Sequence, residues 1–441
     1  MKETIIGLFM TVITFFASLF PGNVKEIREQ PKAEDFVPVM RFMICSDTHI
    51  NSADDSKRER LANAIGIAYE IAESDPSYTK LDAFSVVGDC TNNGTVEQFD
   101  AFEETVKGAL KDETKFLAIV ANNHDSWDNG KKSLEFINNI TGLGSDYHVV
   151  INGYHFIGIS ASKYEGVRYG LYQRRWLREQ LKQAAADDPS KPIFVCHHEH
   201  VKYTVYGSSQ YEGWGVPHFR DILNQYPQIV HFSGHSHYPL NDPRSIWQGQ
   251  FTAVGTGAMA YMEITVDRDR SLHPTYDEDY SSELNYDKHA QFWIVDVDAN
   301  NSVRLRGYDA LNGDLLVEHF IKDPADKSSF AYTPYNQEAH TEAPVFPEGA
   351  SIRAEKEDGG YKLTAPAAEN PDGRVTFVYR YKVLDEKGVK RSDGYLANNY
   401  WVKNPLDTVI LHVKGQPGWT VEIRAENVYG AQSEPLTLTL S

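Results

Sequence analysis

Cysteine is scarce in this chain, with Cys45, Cys90 and Cys196 the only three among 441 residues. Three thiols cannot build the disulfide framework that props up small secreted domains, so each reads as a small buried hydrophobe. Positive charge is short as well, with 43 Lys and Arg against 62 Asp and Glu and a formal net charge of -19. That balance repels phosphate backbones and anionic headgroups, which argues against long nucleic acid or a membrane surface as partner. The apolar run from Ile5 to Phe20 falls short of the roughly 20 residues that span a bilayer, so no stable membrane span is expected. Placed behind Met1-Lys2-Glu3 and before Pro21-Gly22, it has the length of a signal-peptide core. Residues 1–22 are therefore expected to be an export leader, with an uncleaved surface anchor as the alternative, because Ala17-Ser18-Leu19-Phe20 is not a clean cleavage pattern. No cysteine follows the run, so a lipid anchor is not indicated.

What is present can fold. With 41% hydrophobic residues, the chain can fill two or three domain cores. After a polar spacer, Val39 to Ile44 reads as a strand that runs into Cys45-Ser46-Asp47-Thr48-His49. Ser56 to Glu73 places Leu61, Ile65, Ala68 and Ile71 at helical spacing, and such a helix returns the chain for a parallel strand. Ala83 to Val87 is that strand and delivers Gly88-Asp89. A second helix over Thr95 to Lys111 precedes a strand over Phe116 to Val120, which leads into Asn122-Asn123-His124-Asp125. Tyr147 to Ser160 alternates around Asn152-Gly153, a hairpin signal, and a helix is expected over Gln173 to Ala186. Two further apolar runs end in His197-His198 and in Gly234-His235-Ser236-His237.

Five apolar runs thus each end in a carboxylate, an asparagine or a histidine. In layered α/β folds the ligand crevice lies beyond the carboxyl ends of the strands, so clusters far apart in sequence meet there. Asp47, His49, Asp89, Asn123, His197, His235 and His237 offer only oxygen and imidazole nitrogen, a set that suits manganese, iron or zinc better than calcium. Seven ligands exceed what one ion with an open position needs, whereas two ions sharing a carboxylate account for them. Two such ions ~3.5–4 Å apart can clamp a phosphoryl group and acidify water.

With Asp-x-His, Gly-Asp, Asn-His-Asp, a later paired histidine and Gly-His-x-His in this order, residues 40 to 320 resemble the calcineurin-like metallophosphoesterases. The resemblance implies a four-layer α/β/β/α fold and a dinuclear centre. It assigns Asp47, His49 and His237 to one metal, Asn123, His197 and His235 to the other, and Asp89 to both; within the histidine pair, motif position favours His197, with His198 as the alternative. It makes His124 the group that assists the leaving oxygen, oriented by Asp125 from behind, and the substrate a small phosphorylated molecule. Asn122 stands where the family has glycine, a change that asparagine's tolerance of a left-handed backbone would accommodate. Glu199 stands where proline is common, and either caps the loop or faces substrate with His198 and His200.

Substrate choice is expected in insertions. Tyr203, Tyr206, Tyr211 and Trp214 lie in a glycine-bearing stretch that could stack on a ring, and Tyr261 to His289 adds Asp and Tyr with Arg268 and Arg270. Arg168, Arg174 and Arg175 read as solvated charges. The catalytic domain is expected over 38–322, a proline-bearing linker over 323–343, and a second domain over 344–441. There Val375, Phe377, Tyr379, Tyr381 and Val383 alternate with polar residues, as do Val409, Leu411 and Val413, then Val421, Ile423 and Ala425, arguing for a β-sandwich. The stretch Val421 to Gly430 resembles the penultimate strand of a fibronectin type III domain, implying a spacer or a module for contact with a surface or partner. The expected whole is an α/β phosphoesterase sandwich followed by an all-β, immunoglobulin-like sandwich. Alternatives are an exported nucleotidase or cyclic-nucleotide phosphodiesterase, and a non-catalytic adhesion protein working through its C-terminal part.

Overall fold

The computed structural model describes residues 27–441 other than 34, 127–130, 162–168, 210–213, 266–274 and 277. The expected leader at 1–22 lies outside them, as do Arg168, Tyr211, Arg268 and Arg270. Among the described residues no helix is long and apolar enough to cross a membrane.

In chain order the first strands are β1 (Pro38–Cys45), β2 (Ala83–Val87), β3 (Lys115–Ile119), β4 (Asp146–Ile151), β5 (Tyr154–Ile159), β6 (Ile193–His197), β7 (His200–Val201), β8 (Gly215–Val216), β9 (Ile229–Ser233), β10 (Ile246–Gln248), β11 (Thr252–Gly255), β12 (Gln291–Asp298), β13 (Val303–Asp309) and β14 (Leu315–Ile321). One six-stranded sheet has the order β14-β13-β12-β1-β2-β3, and a second has the order β10-β11-β9-β6-β5-β4. Within the first, β1, β2 and β3 run parallel, while β12 pairs antiparallel with β1. Within the second, β5, β6, β9 and β11 run parallel.

Period-2 alternation decides which core each side chain enters. Along β1, Met40, Phe42 and Ile44 point to a core shared with Phe156, Phe194, Val230 and Phe232 of the second sheet. Met43 and Cys45 point the other way, onto Leu61, Ile65 and Ala68 of the helix Ser56–Glu73 and Phe99 and Phe102 of the helix Val96–Ala109. On the far face of the second sheet, Ile157, Ile159, Ile193 and Val195 meet Leu177 and Leu181 of the helix Leu171–Asp187. The sheets therefore face each other, with helices on both outer sides. Asp55 and Thr95 cap the first two helices, accepting the Lys57 and Gln98 amides at 3.0 and 3.3 Å.

The stretch 323–343 is no free linker. Its helix Pro334–Ala339 buries Asn336 and Gln337, and Gln337 donates to the Ile246 carbonyl at 2.9 Å, so side-chain amides fasten the segment to the second sheet. The C-terminal region is all-β: β15 (Arg353–Glu357), β16 (Gly360–Pro366), β17 (Thr376–Leu384), β18 (Lys390–Ala397), β19 (Thr408–Val413), β20 (Thr420–Asn427) and β21 (Leu436–Thr439). Sheets of order β15-β16-β19 and β18-β17-β20-β21 close on a core of Leu363, Val383, Val409, Leu411, Val421 and Ile423. A separate core joins this region to the rest: Phe377, Val378, Tyr400, Trp401 and Val428 bury Ala258, Met262 and Ile264.

Candidate metal centre

The carboxyl ends of β1, β2, β3, β6 and β9 meet at one place, and their loops are tied together by backbone bonds. The Asp47 amide donates to Gly88 O at 3.0 Å, the His49 amide to Asp89 O at 3.1 Å, and the Gly234 amide to His198 O at 2.9 Å. Asp47, His49, Asp89, His235 and His237 all hold a left-handed backbone, with φ between 43° and 75°. Such conformations cost about 1–3 kcal/mol each and persist where surrounding structure imposes them. Glycine is required at Gly88, where a Cβ would lie 2.7 Å from His198 Nδ1, and at Gly234, where it would lie 2.4 Å from Asp47 Oδ2. Asn122 is not among the left-handed residues, so its departure from glycine involves no such strain.

The side chains form two adjoining groups. In one, His237 Nε2 lies 3.2 Å from His49 Nε2 and 3.2 Å from Asp47 Oδ1. In the other, Asp89 Oδ2 lies 3.1 Å from His198 Nε2 and 3.0 Å from the Asn123 amide, which is itself 3.4 Å from His235 Nδ1. Asp89 belongs to both neighbourhoods, since the same oxygen is 3.8 Å from His49 Nε2. Asp89 Oδ1 is buried without a hydrogen-bond partner, and His198 Nε2 is buried with the Asp89 carboxylate beside it. Converging imidazole nitrogens and carboxylate oxygens, one of them unsatisfied, fit a cation, and the donor set fits transition metals. Backbone carbonyls fix the tautomers: His198 Nδ1 donates to Val87 O at 2.8 Å and His237 Nδ1 to Tyr261 O at 3.1 Å, leaving each Nε2 toward the centre.

The electrostatics agree. Burial works to raise the Asp47 carboxyl, yet His237 and His198 beside it hold it well below the usual range. Burial raises Asp89 too, and His198 brings it down to about 2. Burial works to lower His198, but Asp89 and Asp47 lift it well above its ordinary value. Opposed shifts of this kind mark a place that favours positive charge.

Two expected positions are corrected. His197 does not join the cluster; His198 does. His197 faces the outer core of the second sheet, against Tyr169 and Phe219, with its Nδ1 on His231 Nε2. Strand parity contains this signal: His197 shares the face of Ile193 and Val195, and His198 is the first residue free of the strand. Asp125 does not touch His124 either. It accepts the amides of Cys90, Thr91 and Ala121 at 3.1, 2.9 and 3.1 Å, bracing the turn that carries Asp89, and burial followed by the Asp89 charge raises it to about 6. His124 is oriented by a carbonyl, its Nδ1 donating to Asn92 O at 2.8 Å, with its ring against His49 at 4.3 Å. Glu199 is buried and accepts the Tyr169 hydroxyl, and His200 bonds Ser233 and Ser236 at 2.8 and 2.7 Å, so both stiffen the frame. All three cysteines are buried and free.

At the open side, Asn123 is exposed and His124, His235, Trp214 and Tyr261 are half-buried. Trp214 stands 6.1 Å from His235 and Tyr261 4.2 Å from His237, centroid to centroid.

Comparison with known proteins places a name on part of the chain. Residues 40–239 match the calcineurin-like phosphoesterase family. A probable glycerophosphodiester phosphodiesterase, GpdQ, of Arcobacter nitrofigilis is 29% identical over 204 residues, 44% of this chain and 70% of that protein. Among solved structures, the purple acid phosphatase PPD1 of yellow lupin (Lupinus luteus) seeds has 13% identity and a TM-score of 0.43, over 64% of this chain and 53% of that one. GAP50, the anchor in the inner membrane complex of Plasmodium, has 14% identity and a TM-score of 0.40, over 67% and 95%.

Proposed function

We propose that this chain, whose residues 40–239 match the calcineurin-like phosphoesterase family, is a phosphoric ester hydrolase, and specifically a dinuclear phosphodiesterase acting on a small substrate. The observation that carries this reading is the convergence of two adjoining groups of imidazole and carboxylate ligands on Asp89, whose Oδ1 is buried without a hydrogen-bond partner. Asp47, His49 and His237 would hold one ion, Asn123, His198 and His235 the other, and Asp89 both. Two ions of manganese, iron or zinc would supply positive charge to the phosphoryl oxygens and acidify water. Diesters are favoured over monoesters because the curated relative is a probable diesterase.

The chain's own residues do the rest. Asn123 is exposed while its amide donates to Asp89 Oδ2 at 3.0 Å, so it stands between the centre and solvent, on the side from which a phosphoryl group would approach. His124 keeps Nδ1–H on Asn92 and presents Nε2 to the leaving oxygen, to which it delivers a proton. Asp125 ties the Asp89 turn, through the Cys90 and Thr91 amides, to its own loop, where it also accepts the Ala121 amide. The two C-terminal sheets and the Val421–Gly430 pattern support a fibronectin type III-like module, and the Ile5–Phe20 run supports export.

The test is turnover of a phenolic phosphodiester and the matching monoester by full-length protein supplied in turn with manganese, iron and zinc. The diester is expected to be hydrolysed, and His124→Ala is expected to keep two metals per chain while losing about 10²–10⁴ in kcat. Undiminished turnover in that variant removes the assignment of His124, and inertness of the wild type with every metal removes the reading.

A further inference from the structure

Both aromatic sides of the site mouth are backed by the C-terminal region. Trp214, beside His235, rests on Tyr238 with ring centroids 5.7 Å apart, and Tyr238 stacks on Tyr206 at 4.4 Å. Beneath Tyr206 lies the Arg244 guanidinium, 3.5 Å from the ring centroid and 5.1 Å from that of Phe377 on β17. Asp242 fixes this guanidinium by two bonds, Nε to Oδ1 at 2.8 Å and Nη2 to Oδ2 at 2.6 Å. The C-terminal region supplies the remaining ties: Arg244 Nη1 donates to Val428 O at 3.0 Å, and the Tyr400 hydroxyl donates to Asp242 at 3.1 Å. At the other ligand group, Tyr261 leans over His237, while its neighbour Met262 is fully buried in the core formed with Phe377, Val378, Tyr400 and Trp401. One short segment thus turns Tyr261 to the site and Met262 to the C-terminal region.

We propose that the C-terminal β region is part of the substrate-selecting apparatus, fixing Trp214 through Arg244 and Tyr261 through Met262 as two aromatic walls that grip a flat, apolar ester group. This rests on the phosphodiesterase reading and adds to it a substrate class and a task for the second domain. Two rings held by packing lose little freedom when a third ring slides between them, so the walls favour planar groups over alkyl ones. Each stacked pair is worth about twofold to tenfold in affinity. Arg244 and Met262 are positioning residues, since neither lies at the mouth. A planar guanidinium is needed at Arg244 because it stacks between two rings while making a fork of bonds, which an ammonium cannot do.

The experiment uses the metal-loaded full chain and three nitrophenyl phosphodiesters that share one leaving group and carry methyl, phenyl or naphthyl as the second group. In the wild type KM is expected to fall about tenfold from methyl to naphthyl. Arg244→Lys and Met262→Ala are each expected to flatten that series to within about twofold, with two metals per chain and kcat on the methyl ester retained. Trp214→Ala and Tyr261→Ala are expected to flatten it as well. Because Arg244→Lys conserves charge and volume, it keeps the test open should Met262→Ala fail to fold. A ring preference that survives in full in the folded variants overturns the proposal. So does a uniform loss across the series with loss of metal, which marks a purely structural role. A wild type that turns over all three esters without preference overturns this proposal alone, and one inert to all three removes the phosphodiesterase reading with it.

Discussion

At the scale of single residues, the centre depends on which of two neighbouring histidines enters it. His198 Nε2 stands 3.1 Å from Asp89 while His197 packs on Tyr169 and Phe219. His198→Ala is therefore expected to lose one of two metals per chain by elemental analysis and most activity, whereas His197→Ala keeps both metals and suffers in stability. The opposite pattern restores the assignment that motif position alone suggests. The motif places a ligand in the pair, and only the alternation of β6 tells which of the two turns inward. Asp125 carries a related lesson. Adjacency to His124 implied a contact, but the left-handed turn at Asp89 leaves the Cys90 and Thr91 amides to be capped, and the buried Asp125 carboxylate caps them while also accepting the Ala121 amide of its own loop. No local pattern in the sequence announces a partner 34 or 35 positions away.

At the scale of elements, the helix Ser56–Glu73 and strand Ala83–Val87 were legible to the residue, because long amphipathic or short apolar periods with clean caps leave little choice. The hairpin at Asn152-Gly153 was equally plain, and both residues hold positive φ. Its start hides a titrating device. Asp146 accepts Gln173 Nε2 at 2.9 and 3.1 Å and the Ser160 amide at 3.1 Å, yet burial pushes its carboxyl up from 3.8 to about 6. The folded protein thus binds this proton more tightly than the unfolded chain does. The stabilising contribution is complete below pH 3.8 and is lost as pH rises through about 6. Asp146→Asn is expected to flatten the fall in melting temperature between those values relative to the wild type. A wild-type and variant difference that does not change with pH contradicts it.

At the scale of the whole molecule, the change from mixed α/β to all-β patterning was legible in the sequence, but the packing of the two regions on each other was not. Pro334 and its neighbours read as a linker, yet buried Asn336 and Gln337 anchor that segment, and Trp401 lies fully buried in a core that both parts build. A core whose members run from Ala258 to Val428 leaves no periodic trace in either part. Two consequences follow for stability. Calorimetry of the full chain is expected to give one cooperative transition, and Trp401→Ala is expected to cost about 3–5 kcal/mol by large-to-small replacement in a core. Two well-separated transitions would show that the parts melt independently. The central claim, however, is that loops from two sheets meet on one shared carboxylate. Metal stoichiometry of the purified full chain tests it most directly: two ions in the wild type, and both sites damaged together in Asp89→Ala, with less than one ion retained. An Asp89→Ala protein that still held two ions tightly would contradict the account, even with every strand in its place.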